Sequence, residues 1–121
     1  MPFASKNVYK KLLGNSGEKL AVKYLKKNKY EILATNFTTH VGEIDIIAKD
    51  NDYIVFIEVK TRTSDLFGAP SEAVNREKQR KYGKVAQEFL IKNRLTDSPC
   101  RFDVVEVINK EINHIINAFC M

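Results

Sequence analysis

The sequence predicts an α/β domain, and three patterns predict it. Two stretches, 44–48 and 53–57, carry apolar residues on both faces of an extended chain. Strands look like this when layers cover a sheet on both sides. Two other stretches, 15–28 and 75–93, space their apolar residues at helical intervals. The segments alternate, and 121 residues suffice for one core but not two. One domain spanning 1–121 is expected.

Residues 1–14 read as a loosely held basic arm, with Lys6, Lys10 and Lys11 beside Val8, Leu12 and Leu13. Asn15 is the expected N-cap of the first helix, and Glu18 three residues later completes a capping-box pattern. Leu20, Ala21, Val22, Tyr24 and Leu25 form the apolar arc. At about 100° per residue, Glu18 falls in line with Val22 and Leu25. Glu18 is therefore either a structural cap or a carboxylate aimed at the sheet, and one residue can be both. A first strand follows over 30–37, then a polar loop over 38–41.

The next segment, GEIDIIAKDNDYIVFIEVKTR over 42–62, reads as a hairpin. Asn51 and Asp52 are the central turn residues, both types that tolerate positive φ. A two-residue loop pairs Asp50 with Tyr53. The same register sets Asp45 against Glu58 and Glu43 against Lys60, with all four charges on one face at one end. Facing carboxylates destabilise a sheet unless a cation lies between them. A divalent metal site with a lysine beside it is one reading, and a surface cluster of ion pairs is the other.

Residues 61–70 form a loop placed to act as a flap over a substrate, and 70–74 a single helical turn. Asn75 caps the second helix, whose stripe is Tyr82, Val85, Ala86, Phe89 and Leu90. Arg76, Lys78, Arg80, Lys81 and Lys84 crowd its first half, where basic residues oppose the helix dipole. A phosphate-contacting face explains them better than helix stability does. Lys78 lies one turn before Tyr82 and can reach toward the sheet end. Strands over 101–108 and 112–119 complete the chain. A three-residue turn between them would set Cys100 across from Cys120, and His114 reads as an ordinary half-buried histidine.

The formal charge is +5 despite fifteen acids, and the pI is about 9.2. Such an excess favours a polyanionic partner, nucleic acid first. No apolar run approaches the roughly 20 residues that span a bilayer, so no membrane partner is expected. The N-terminus lacks the apolar core of a secretory signal. Two cysteines build neither a disulfide framework nor a zinc site, and the expected compartment is the cytoplasm. There is no phosphate-cradling glycine loop and no dinucleotide-binding turn.

Mg²⁺ takes oxygen ligands in octahedral geometry, usually one or two carboxylates with water and phosphate for the rest. Asp45 and Glu58 supply that number, and the Val59 carbonyl is a candidate third oxygen. Lys60 shares the face of Glu58, where it can hold an attacking hydroxide or neutralise a phosphate. Metal, water, lysine and a basic helix together make a hydrolytic phosphodiester site.

GEID at 42–45 and VFIEVKTR at 55–62 resemble the PD-(D/E)XK nuclease superfamily, with Ile44 where its proline would stand. More narrowly, the chain resembles the small bacterial YraN-like proteins, an uncharacterised family grouped with endonucleases. Gly17-Glu18, Ala21, Tyr24-Leu25, Gly68-Ala69-Pro70, Glu72-Ala73-Val74, Lys78 and Arg101-Phe102-Asp103-Val104-Val105 carry that likeness along most of the chain. The resemblance implies a restriction-endonuclease-like α-β-β-β-α-β core, a mixed sheet flanked by helices. It implies Asp45, Glu58 and Lys60 as the catalytic triple. It also implies that Glu18 joins the metal site, as in Holliday-junction resolvases.

The expectation is a Mg²⁺- or Mn²⁺-dependent endonuclease acting on DNA, branched or structured DNA included. Asp45, Glu58, Val59 and Glu18 are the metal set. Arg62, Arg76, Lys78, Arg80, Lys81 and Lys84 are the nucleic-acid-contacting set. Glu43 reads as a partner for Lys60. The alternatives are a nucleic-acid-binding module without turnover and a protein-binding adaptor. A homodimer, which symmetric cutting of two strands would require, and a further protein partner stay open.

Overall fold

The computed structural model describes residues 16–62 and 75–120. The basic arm, the Asn15 cap, the flap beyond Arg62 and the helical turn at 70–74 lie outside them. The elements in chain order are helix α1 (Ser16–Lys27), strands β1 (Glu31–Thr38), β2 (Glu43–Asp50) and β3 (Tyr53–Arg62), helix α2 (Arg76–Lys92), and strands β4 (Cys100–Ile108) and β5 (Glu111–Phe119). The expected α-β-β-β-α-β order and mixed sheet are present. Thr61 and Arg62, assigned to the loop from sequence, extend β3 instead.

The five strands lie in sequence order. β3 and β4 run parallel and every other pair antiparallel, so the chain must cross over between β3 and β4, and α2 lies in that crossover. Asn75 caps α2, its side chain accepting from the Lys78 N–H at 2.9 Å. Each helix seals one face of the sheet. Tyr82, Val85 and Phe89 of α2 pack on Ile47, Ile54, Phe56 and Phe102. Ala21 and Leu25 of α1 pack on Ile46, Val55, Ile57 and Val105. The two-sided apolar strands are thus explained by two separate core layers.

The hairpin register is the expected one from Asp50–Tyr53 to Ile46–Ile57, where pairing stops. Asp45 with Glu58 and Glu43 with Lys60 are therefore not ladder pairs. Ile44 and Ile47 pack in one layer and Ile46 in the other, although residues three apart on a regular strand face opposite ways, so the alternation of β2 breaks between Ile44 and Ile46. Of the two turn residues, Asn51 has positive φ (55°) and Asp52 does not.

The β4–β5 turn corrects the sequence reading. Asn109 and Lys110 both have positive φ, 51° and 71°, and make a two-residue loop between Ile108 and Glu111. The register then shifts between Phe102 and Val104. Phe102 faces Phe119, so Arg101 rather than Cys100 stands level with Cys120; both thiols are free.

The start of α1 is pressed against the end of β3. Gly17 is buried, and a methyl group there would come within 2.0 Å of the Thr61 hydroxyl and 3.2 Å of its Cβ. Only glycine lets Glu18 approach the sheet this closely. Gly17→Ala is expected to lower the melting temperature, by about 1–3 kcal/mol of overpacking. Thr61→Ala in the same chain should recover most of that loss. Full stability of Gly17→Ala alone would contradict the close approach.

Candidate active site

Where the β2–β3 ladder ends, side chains take over from backbone. The Val59 N–H donates to Asp45 Oδ2 at 2.9 Å. In an extended strand the N–H and C=O of one residue point to the same edge. The Val59 carbonyl therefore faces the gap that holds the Asp45 carboxylate.

Glu58 lies beside this gap, 4% exposed. Its Oε2 receives Lys60 Nζ at 3.0 Å and Lys78 Nζ at 2.7 Å, and its Oε1 accepts a short hydrogen bond from the Tyr82 hydroxyl. Lys60 arrives from two residues along β3, Lys78 and Tyr82 from successive turns of α2. Lys78 thus belongs to the carboxylate cluster rather than to the outer basic face. Lys60 pairs with Glu58, not with Glu43 as the sequence suggested. Tyr82 was read as a core residue only; its spacing from Lys78 on one helical stripe was the available signal.

Glu18 sits at the edge of this cluster. Its Oε1 accepts from Asn36 Nδ2 at 2.8 Å. Asn36 has positive φ (52°) in β1, a conformation asparagine tolerates. Glu18 thus points at the sheet, as its place in the apolar arc requires, and its charge acts on Asp45.

The two central carboxylates titrate in opposite directions. Burial pushes Asp45 up to about 7, and the charges of Glu58, Glu18 and Glu43 add to that against the opposing Val59 N–H. Burial would raise Glu58 as well, but Lys78, Tyr82 and Lys60 together bring it below the ordinary carboxylate range. Burial works to lower Lys78, and its contact with Glu58 outweighs that and raises it. Tyr82 is raised by burial and by the Asp45 and Glu58 charges, so its hydroxyl stays a donor. One acid is held charged and its neighbour is held near neutrality.

Among the described residues no three His, Cys, Asp or Glu side chains converge as a preformed metal cluster. A catalytic zinc site needs three protein ligands, whereas Mg²⁺ accepts two carboxylates with water. The donor set of Asp45, Glu58 and the Val59 carbonyl fits the second requirement and not the first.

The other basic residues divide. Arg62 Nε pairs with buried Glu106 at 2.9 Å. Arg80 pairs with Glu77 across two exposed side chains, and Arg76, Lys81 and Lys84 are exposed on α2. His114 is half-buried as expected, but it is part of a network. Its ring lies between Asp103 at 2.7 Å and the Tyr24 hydroxyl at 2.9 Å. Asp103 and Glu106, both buried, interrupt an otherwise apolar strand. That is the anomaly that singled out Asp45 and Glu58, and it went unused in β4.

A carboxyl group whose folded pKa is raised favours folding at low pH. For Asp45 that contribution is lost as pH rises from its ordinary 3.8 to about 7. Asp45→Asn cannot ionise and keeps an acceptor for Val59. With chelator present, the variant should match the wild type near pH 4 and exceed it at pH 8, by about 1–3 kcal/mol. Thermal melts across that range read the difference, and an equal or lower melting temperature at pH 8 would contradict the burial of a charged Asp45.

Comparison with known proteins covers nearly all of this architecture. A model of the uncharacterised protein family UPF0102 matches residues 17–107. A UPF0102 protein of Alkaliphilus oremlandii is 55% identical over 115 residues, covering 90% of this chain and 98% of that protein. One from Caldanaerobacter subterraneus is 49% identical over 121 residues, covering 94% and 99%. One from Clostridioides difficile is 50% identical over 108 residues, covering 88% and 95%. The matched span runs from Gly17, before Glu18, to Val107, after Glu106. On this match, and on relatives near half identical along almost their whole length, the chain belongs to the UPF0102, YraN-like family.

Proposed function

We propose that this protein is a Mg²⁺- or Mn²⁺-dependent endonuclease that hydrolyses DNA phosphodiester bonds. The observation that carries the reading is the meeting of Asp45, Glu58, Lys60 and Lys78 at the open end of the hairpin. A protein that only bound nucleic acid would have no need to bury two acids beside a basic helix. Asp45, Glu58 and the Val59 carbonyl would hold the cation, with Glu18 adding negative charge from α1. A divalent cation there supplies Lewis acidity at the phosphate and lowers the pKa of a coordinated water.

The chain's own groups do the rest. Lys60, half-buried beside Glu58, would orient the attacking water and offset the charge that builds on the phosphate oxygens. Lys78 and Tyr82 position Glu58. Arg76, Arg80, Lys81 and Lys84 would meet the phosphate backbone along α2.

A second reading has its own support. Both Glu58 oxygens are already engaged by Lys60, Lys78 and Tyr82, and Asp45 is held close to neutral. A Glu58 already matched by the chain's own donors suits a binding module without turnover.

Incubation with branched, single-stranded and duplex DNA, with and without Mn²⁺, separates the two. The nuclease reading expects metal-dependent nicking that falls by at least about 10²-fold in Asp45→Ala and in Lys60→Ala. Binding by all three proteins without nicking would replace it with the module. Neither binding nor nicking would leave an adaptor.

A further inference from the structure

Helix α1 carries a second basic surface, on the opposite face of the sheet from α2. Lys19, Lys23 and Lys26 stand at i, i+4 and i+7, so they fall within about 60° of one another around the helix. All three are exposed. With Glu18, Val22, Thr35 and Asn36 they line one groove of about 380 Å³ between α1 and β1, and β1 is an edge strand.

Nothing within the described fold accounts for this stripe. Among the described residues none of the three lysines carries an ion pair. The one acid on α1, Glu18, is turned to Asn36. Like charges four apart destabilise a helix by about 0.2–0.5 kcal/mol, and Lys19 in the first turn opposes the dipole. Lys19 and Lys23 therefore work against the helix that carries them, while Lys26 in its last turn favours the dipole. Two of its other lining groups, the Thr35 hydroxyl and the Asn36 amide, are usual companions of lysine at phosphates, and the Asn36 amide also donates to Glu18 at 2.8 Å. Glu18 lines the groove and follows Gly17, which packs on Thr61 at the end of β3. One end of the groove therefore lies close to the strand that carries Glu58 and Lys60.

We propose that the α1 groove is a phosphate track for a second segment of nucleic-acid backbone, distinct from the segment met by α2. The proposal deepens the nuclease reading and rests on it. Its consequence is a substrate that reaches both faces of the sheet at once, bent or branched rather than a straight duplex.

The test measures binding alone, in chelator, so loss of turnover cannot be mistaken for loss of the track. Wild type is compared with Lys19→Gln/Lys23→Gln/Lys26→Gln, which keeps helix propensity. A control, Lys27→Gln/Lys29→Gln/Lys110→Gln, removes the same charge from exposed sites outside the groove. Branched DNA is titrated at several salt concentrations. The groove variant should bind at least about tenfold more weakly, with a salt slope smaller by about 2–3, near 0.9 for each lost phosphate contact. The control should stay near wild type, and arginine at the three groove positions should restore binding. Equal binding by the groove variant, or an equal loss in the control, overturns the track and leaves the nuclease reading standing. No binding by any of the proteins overturns both.

Discussion

Glu58 keeps a charged carboxylate in the interior of the sheet because three donors converge on it. Ionised acids are excluded from protein cores unless paired and hydrogen-bonded. Here Lys60 lies on the same strand, and Lys78 and Tyr82 lie on a helix that covers the same face. That constraint fixes α2 in rotation as well as position, since Tyr82 must face the sheet end while Val85 and Phe89 enter the apolar layer. The rest of α2 then presents its remaining basic residues to solvent in one direction. Asp45 has no comparable set of donors. It takes the Val59 N–H and little else, so burial holds it near neutrality. The two acids are close in space and shifted in opposite directions, the arrangement expected where charge is kept ready for a ligand.

A second buried acid anchors the other face. Asp103 is fully buried and accepts from Arg101 at 3.1 Å, from the Asn117 N–H at 2.9 Å and at His114. The other ring nitrogen of His114, Nδ1, lies 2.9 Å from the Tyr24 hydroxyl. Arg101 reaches on to Asp50 at 3.1 Å and the Tyr30 hydroxyl at 2.7 Å. The network ties β4 to α1, to the hairpin turn and to the start of β1. In the parallel register Asp103 stands beside Ile57, one residue from Glu58. The same pair of strands therefore carries one buried acid toward each helix. The Asp103 network holds the α1 side while the Glu58 cluster holds the α2 side, and Gly17 lets α1 press down onto Thr61 between them.

Most of the fold was legible because it rests on local periodicity. The two-sided strands, the helical stripe ending in Phe89, the Asn75 cap and the hairpin register from Asp50 to Ile46 all follow from patterns within about twenty residues. The errors arose where geometry departs from regular repeats. Lysine is a poor indicator of positive φ, so the two-residue turn at Asn109 and Lys110 was read one residue too long. The register shift before Val104 leaves no mark in hydrophobic alternation, yet it turns the Asn117 N–H toward Asp103. At the site, the strands' own alternation pointed to Asp45, Glu58 and Lys60. The donors to Glu58 could not be ranked in the same way, because they depend on where α2 docks across the sheet. Glu43 reads as the partner of Lys60 for the same reason, and Lys60 turns to Glu58 instead.

At Asp45 a proton and a bound cation would compete for one carboxylate. A cation requires the ionised carboxylate, so metal must displace the proton that burial retains. Calorimetric titration of the protein with Mn²⁺ at pH 6 and pH 8, in buffers of differing ionisation enthalpy, measures that exchange. We predict one Mn²⁺ per chain, bound about tenfold more tightly at pH 8, with close to one proton released at pH 6 and no binding by Asp45→Ala. Absence of Mn²⁺ binding, or binding indifferent to both pH and Asp45, would contradict the assignment of this carboxylate pair as a metal site.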